Sequence, residues 1–194
     1  MELNKSTYFV REHVGMFKFH EAYDILDPQS GELLALAYEE ASFAKKMLKL
    51  LVSKKLLPFK VHLTDTKDQT ILTIERGMTF LRSRVRVLDS NGRKIGSFQQ
   101  RLLSIGGRFD LYDEKDEKIA ELKGNFVGWN FQFLDLNGNR IGTVSKKWAG
   151  VGKELFTSAD NYVVALEENT DPNTMGPLIL CAALCIDMVL KEND

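Results

Sequence analysis

Val85-Arg86-Val87-Leu88-Asp89-Ser90-Asn91-Gly92-Arg93-Lys94-Ile95 reads as a strand, a tight turn and the start of a second strand. Alternation at period two puts Val85 and Val87 on one face, and Asp-x-x-Gly suits a type I turn closing on a residue with positive φ. The pattern recurs outward along the chain, at Tyr23-Asp24-Ile25-Leu26-Asp27, Val61-His62-Leu63-Thr64-Asp65, Phe109-Asp110-Leu111-Tyr112-Asp113 and Phe131-Gln132-Phe133-Leu134-Asp135. Asp68, Gly92, Asp116 or Gly138 follows three residues after the closing Asp, and Ile71, Ile95, Ile119 or Ile141 three after that. The first copy carries one extra residue, so Gly31 and Leu34 take those roles. Each copy is therefore one β-hairpin. An Asp heading each turn accepts backbone hydrogen bonds, so the recurring aspartates read as structural, not as catalytic pairs or metal ligands.

Strands from Ser6 to Glu12 and from Asn161 to Glu167 flank the five hairpins. The total is about twelve antiparallel strands, a sheet large enough to curl and close. With 194 residues, 44% of them hydrophobic, the chain supports one sizeable core, and residues 1–194 read as a single domain. A net charge of -1 gives no bulk attraction to nucleic acid, so a nucleic-acid role is not expected and any anion-binding surface must come from local clustering.

The segment Met175 to Leu190 is apolar around its whole circumference apart from Asp187. As a helix it spans about 21 Å, short of the roughly 30 Å hydrocarbon core of a bilayer. Its place is inside the strand assembly, and the fold class is mainly β: a closed antiparallel barrel of about twelve strands around a central hydrophobic C-terminal helix. Cys181 and Cys185 share a helical face there and read as buried free thiols, which suits a reducing compartment. The N-terminal residues lack the apolar core of a signal peptide, so the expected location is cytoplasmic, with peripheral membrane contact where basic clusters allow it.

Two basic clusters and one basic-aromatic element stand out. Between Glu40 and Asp65 there is no acidic residue, while Lys45, Lys46, Lys49, Lys54, Lys55 and Lys60 accumulate. Apolar positions at helical spacing make Ser42 to Lys54 a basic amphipathic helix before Pro58. It either lies on an anionic membrane surface or packs on the barrel with its lysines in water. Arg82, Arg84 and Arg86 alternate along one strand, a row suited to bidentate contact with phosphate oxygens, or else an outer face balanced by acidic neighbours on adjacent strands. Lys146, Lys147 and Trp148 form a basic and aromatic element of the kind found at membrane interfaces, or a strand end with a packed Trp.

Lys146-Lys147-Trp148-Ala149-Gly150, then Glu154 to Tyr162, then the apolar tail through Ile186-Asp187, resemble the C-terminal part of the phospholipid scramblases. The hairpin repeat upstream resembles that of the same family and of the plant LURP-one-related proteins. The resemblance implies the tubby C-terminal fold, a closed barrel around a C-terminal helix, and a protein of lipids or membranes. Animal members carry a proline-rich N-terminal extension and a cysteine cluster suited to palmitoylation. Here the barrel is expected to begin almost at Met1, so anchoring by lipidation is not expected. The family's proposed calcium segment corresponds to the stretch from Ser158, in which Asp160 keeps a carboxylate. Val163 and Asn169 stand where an EF-hand loop needs Gly and a bidentate Glu. No cofactor is expected, and Asp160-Asn161 reads better as a turn before the last strand.

His13, His20 and His62 lack short metal-ligand spacing, and no nucleophile elbow, phosphate loop or dinucleotide fingerprint occurs. The expected function is non-enzymatic: association with anionic phospholipid or a membrane surface, and a contribution to transbilayer lipid movement. The competing expectation is a soluble scaffold that binds a protein or small ligand without a membrane role.

Overall fold

The computed structural model describes residues 3–13, 22–40, 57–78, 84–101, 108–125, 128–146 and 161–191. Their strands are β1 (Thr7–Glu12), β2 (Ala22–Leu26), β3 (Leu33–Glu39), β4 (Phe59–Thr64), β5 (Thr70–Arg76) and β6 (Arg84–Asp89), followed by β7 (Lys94–Gln100), β8 (Arg108–Asp113), β9 (Lys118–Asn125), β10 (Asn130–Asp135), β11 (Arg140–Ser145) and β12 (Tyr162–Leu166). One helix, α1 (Met175–Lys191), completes the described elements. Every strand pairs antiparallel with its sequence neighbours, and β1 pairs with β12 through Phe9↔Val163 and its flanking residues, so the twelve strands form a closed barrel. Closure leaves no sheet edge to pair with another chain. The first and last strands are each a residue shorter at their ends than the sequence pattern suggested, and the expected helix over Ser42 to Lys54 lies outside the described residues.

The five hairpins share one design. Asp89 Oδ1 accepts the backbone N–H groups of Asn91 and Arg93 at 2.9 Å each, and Asp65, Asp113 and Asp135 do the same for residues two and four further on. Asp27, with its extra residue, accepts from Gln29 and Ser30. The closing position takes positive φ in every copy: Gly31 at 72°, Asp68 at 61°, Gly92 at 77°, Asp116 at 66° and Gly138 at 85°. Glycine enters this region freely, and Asp is among the few other residues that tolerate it.

The aliphatic residue three positions later also has a physical reason. The pairing jumps from Val87↔Gly96 to Leu88↔Lys94, which leaves Ile95 as the extra residue of a bulge. Leu34, Ile71, Ile119 and Ile141 are skipped in the same way. A bulge bends the strand and increases its twist, and all five bulged side chains pack half-buried against the core. Repeated around one end, the five bends help the sheet to curl into a barrel.

Inside, the strands contribute residues such as Val61, Leu63, Phe98, Phe131 and Phe133 to one core with α1. Every residue from Leu178 to Met188 is buried, which confirms the expected central helix. Space for it comes from small residues on the strands just past the bulges, namely Ala35, Gly96, Ala120 and Gly142. A Cβ at Gly96 would lie 2.7 Å from Leu178 Cδ2 and 2.8 Å from the Tyr112 carbonyl oxygen, and one at Gly142 would lie 3.1 Å from Ile179 Cδ1. The first turn of α1 is prepared by Asp171, whose carboxylate accepts from the Asn173 N–H and the Thr174 hydroxyl.

Two ionisable side chains lie inside with the helix. Arg76, 3% exposed, donates from Nη2 to the Leu57 carbonyl at 2.8 Å and stacks 4.6 Å above the Phe59 ring. Asp187, the one acid of the apolar tail, is equally buried. Cys181 and Cys185 are buried free thiols, and burial pushes both well above the ordinary thiol range; the Arg76 charge pulls Cys185 back only in part. Neither is poised as a nucleophile.

Candidate functional site

Antiparallel order gives the barrel two unlike ends. The five Asp turns link β2 to β3, β4 to β5, β6 to β7, β8 to β9 and β10 to β11, all at one end. The six other connections, from β1–β2 through β11–β12, join strand termini at the opposite end. Arg84 starts β6 and Lys146 follows β11, so both backbones lie at the connection end. Arg82, Lys45, Lys46, Lys49, Lys147, Trp148 and Asp160 lie outside the described residues. Each belongs to one of those same connections in the sequence.

Arg84 and Arg86 do share the outer face of β6, as the alternation requires, but each meets a carboxylate. Arg86 pairs with Glu75 on β5 at 2.6 Å, across the register Glu75↔Arg86. The Arg84 guanidinium bonds to the Ser97 hydroxyl at 3.2 Å, sits 5.6 Å from the Tyr112 ring centre, and pairs with Asp116 in the β8–β9 turn. Lys94 reaches the same Asp116 Oδ1 at 2.7 Å. The Lys94 hydrogen bond and the Arg84 charge hold the Asp116 carboxyl below the usual range, against a smaller opposing effect of desolvation. Arg86 is thus balanced by an acid on an adjacent strand and Arg84 by one in a more distant turn.

Other outer-face charges are paired similarly. Arg101 forks onto Asp110 at 2.8 and 2.7 Å, and Lys118 joins at 2.8 Å. Burial opposes ionisation of Asp110, yet these hydrogen bonds hold its carboxyl low. Asp24 accepts from Arg11 Nε at 3.0 Å and lies 2.7 Å from His13 Nε2, while His62 Nε2 lies 3.1 Å from Glu40.

Lys146 has an aromatic partner that the sequence did not suggest. Its ammonium stands 4.8 Å from the ring centre of Trp129, which stacks on Tyr162 at 5.2 Å. Trp129 adopts φ 46°, in the β9–β10 connection two strands away in sequence, so no local pattern joined it to Lys146. Its place directly before the fifth strand-turn copy was the available signal.

The stretch that resembles a calcium segment runs from Ser158 into β12, where Tyr162 to Leu166 are extended and buried between β1 and β11. Those five residues have strand geometry, and Ser158 to Asp160 lie outside the described residues. Among the described residues no group of three potential metal-ligating side chains converges. No helix among them is long and apolar enough to cross a membrane.

A family model, Scramblase, matches residues 11–193. The chain belongs to the Scramblase family. It is similar to Altered inheritance rate of mitochondria protein 25 of Saccharomyces cerevisiae, 22% identical over 85% of this chain and 59% of the yeast protein. It is 23% identical to human Phospholipid scramblase 2, over 70% of this chain and 50% of the human one. The Bacillus subtilis protein YxjI is 26% identical, over 76% of this chain and 97% of its own length. The chain thus spans about half the length of the eukaryotic relatives it matches. In three dimensions it resembles an Arabidopsis thaliana protein solved by X-ray diffraction, with a TM-score of 0.53, 12% identity, and coverage of 97% of this chain and 92% of that one. At that identity the likeness shows the fold alone, and the fold is the closed barrel with its C-terminal helix.

Proposed function

We propose that this Scramblase-family barrel is a non-enzymatic protein that associates with anionic phospholipid through its connection end. The observation that carries this reading is the way antiparallel order sorts the sequence. The connections contain Lys18, Lys45, Lys46, Lys49, Lys54, Lys55, Arg82, Arg101, Lys146, Lys147 and Lys153 against Glu21, Glu40, Glu154 and Asp160, together with Phe80, Trp148 and Phe156. The turns and the Asp residues that head them contain Asp27, Glu32, Asp65, Asp68, Asp89, Asp113, Glu114, Asp116, Glu117 and Asp135 against Lys67, Arg93 and Lys115. A nearly neutral chain therefore carries opposite charge in its two sets of loops. Basic residues interleaved with aromatics suit an anionic interface, where each lysine near the surface contributes about 1 kcal/mol. Relatives named phospholipid scramblases support a lipid role. Since α1 fills the barrel interior, a contribution to transbilayer lipid movement would run around the barrel or require assembly of several copies.

Flotation with vesicles tests the reading. At low salt, recovery is expected with phosphatidylcholine vesicles containing phosphatidylserine and not with phosphatidylcholine alone. Changing Lys45, Lys46 and Lys49 together to Ser should reduce that recovery. Equal recovery with neutral and anionic vesicles would remove the lipid claim and favour the soluble scaffold.

A further inference from the structure

We infer that Arg84, Lys94 and Ser97 form a phosphate-binding site on the outer wall of β6 and β7, with the Asp116 carboxylate occupying it in the free protein. Three strands and a turn converge here: Arg84 from β6, Lys94 and Ser97 from β7, Tyr112 from β8 and Asp116 from the β8–β9 turn. One oxygen, Asp116 Oδ1, accepts from both the guanidinium and the ammonium. That is how an Arg–Lys pair holds a phosphate oxygen, and the buried Ser97 hydroxyl and the Tyr112 face fix the guanidinium that would make the contact. The carboxylate stands in for the ligand.

The identity of the occupying residue supports the inference. Position 116 is a positive-φ position that the repeat fills with glycine at 31, 92 and 138. Asp116 extends a charged group from that position toward Arg84 and Lys94, whereas Asp68, with the same backbone conformation, makes no ion pair among the described residues. Asp116 is also half exposed. A carboxylate that solvent can reach exchanges for a competing anion without disturbing the core.

The chemistry is that of a phosphate, supplied either as free phosphate or as a lipid headgroup. Only the second source rests on the lipid reading above. Titration with inorganic phosphate, followed by amide chemical shifts of residues 84, 94 and 97, is the test. Asp116→Gly, which suits the backbone, should bind phosphate roughly tenfold more tightly than the unaltered chain. Adding Lys94→Gln should reverse the gain. Asp68→Gly is the matched control and should change nothing. If Asp116→Gly does not fold, Asp116→Asn removes the charge while keeping a residue that tolerates positive φ. Unaltered phosphate affinity in a folded Asp116 variant, or the same gain in Asp68→Gly, would overturn the site. Vesicles then assign the source. Greater recovery of Asp116→Gly than of the unaltered chain on phosphatidylserine-containing vesicles marks a headgroup site, and a gain confined to inorganic phosphate marks a free-phosphate site. Failure of the unaltered chain to float would sink the lipid reading and leave the phosphate result standing.

Discussion

At the turn end, each hairpin is closed by its own Asp, which binds the N–H groups of residues two to four positions later. At the opposite end, six connections of different lengths carry most of the lysines, and the charged groups described nearby find partners on other strands. The first end is stabilised by contacts close in sequence, so it repeats. The second is free of the repeat, so its sequence varies from connection to connection. The proposed function assigns binding to the second end and leaves the first to closing the barrel.

The largest expected effect lies in neither end but in the helix between them. Ending the chain after Asn173 removes Leu178, Ile179, Leu180, Leu184, Ile186 and Met188 from the core. At about 1.5–3 kcal/mol per large aliphatic residue, the loss is on the order of 10 kcal/mol, comparable with the stability of a whole domain. Circular dichroism melting should show no cooperative transition; a truncated chain that melts cooperatively would contradict the central-helix account. Next comes Gly96→Val, which drives a side chain into Leu178 and the Tyr112 carbonyl. Overpacking of this kind costs about 1–3 kcal/mol, and urea denaturation should show a lower midpoint, while the same change at the exposed Gly77 should cost much less.

The comparison between the ends is sharpened by a pair of smaller changes. Asp135→Ala removes the acceptor for two turn amides and should lower the melting temperature, while Asp135→Asn, which retains Oδ1, should recover most of it. The lysine-to-Ser triple change at the connection end should do the reverse, sparing the melting temperature and reducing vesicle recovery. The pH dependence completes the set. Hydrogen bonds hold Asp135 and, against desolvation, Asp110 below the usual carboxylate range. A depressed folded-state pKa means stabilisation that is full above the unfolded value and lost as pH falls through the folded one. Melting temperature should therefore stay level from neutral pH to the ordinary Asp range and fall below it.

How much of this was legible in the sequence follows from distance along the chain. The five turns, the strand count and the buried tail were readable because each depends on neighbouring residues or on one apolar run. Ile95 and its equivalents were visible as a pattern, but their cause, the bulge, depends on pairing with the partner strand. The Arg84–Asp116 and Lys146–Trp129 contacts join residues on different hairpins, and no local periodicity encodes them. Arg76 belongs to no motif of the sequence. Its place on the inner face of β5 follows the alternation of Leu72 and Ile74, though nothing in that pattern shows the Leu57 carbonyl that receives it.

The division between the ends is tested most directly by two exposed apolar residues, Met78 next to β5 at the connection end, 51% exposed, and Leu136 at the tip of the β10–β11 turn, 66% exposed. Each is replaced in turn by Cys and labelled with an environment-sensitive fluorophore, the native thiols being buried. Vesicles of phosphatidylcholine and phosphatidylserine carrying a nitroxide quencher are then added. The account predicts quenching of the label at 78 and little change at 136. Quenching at 136 alone, or equal quenching at both positions, would contradict it.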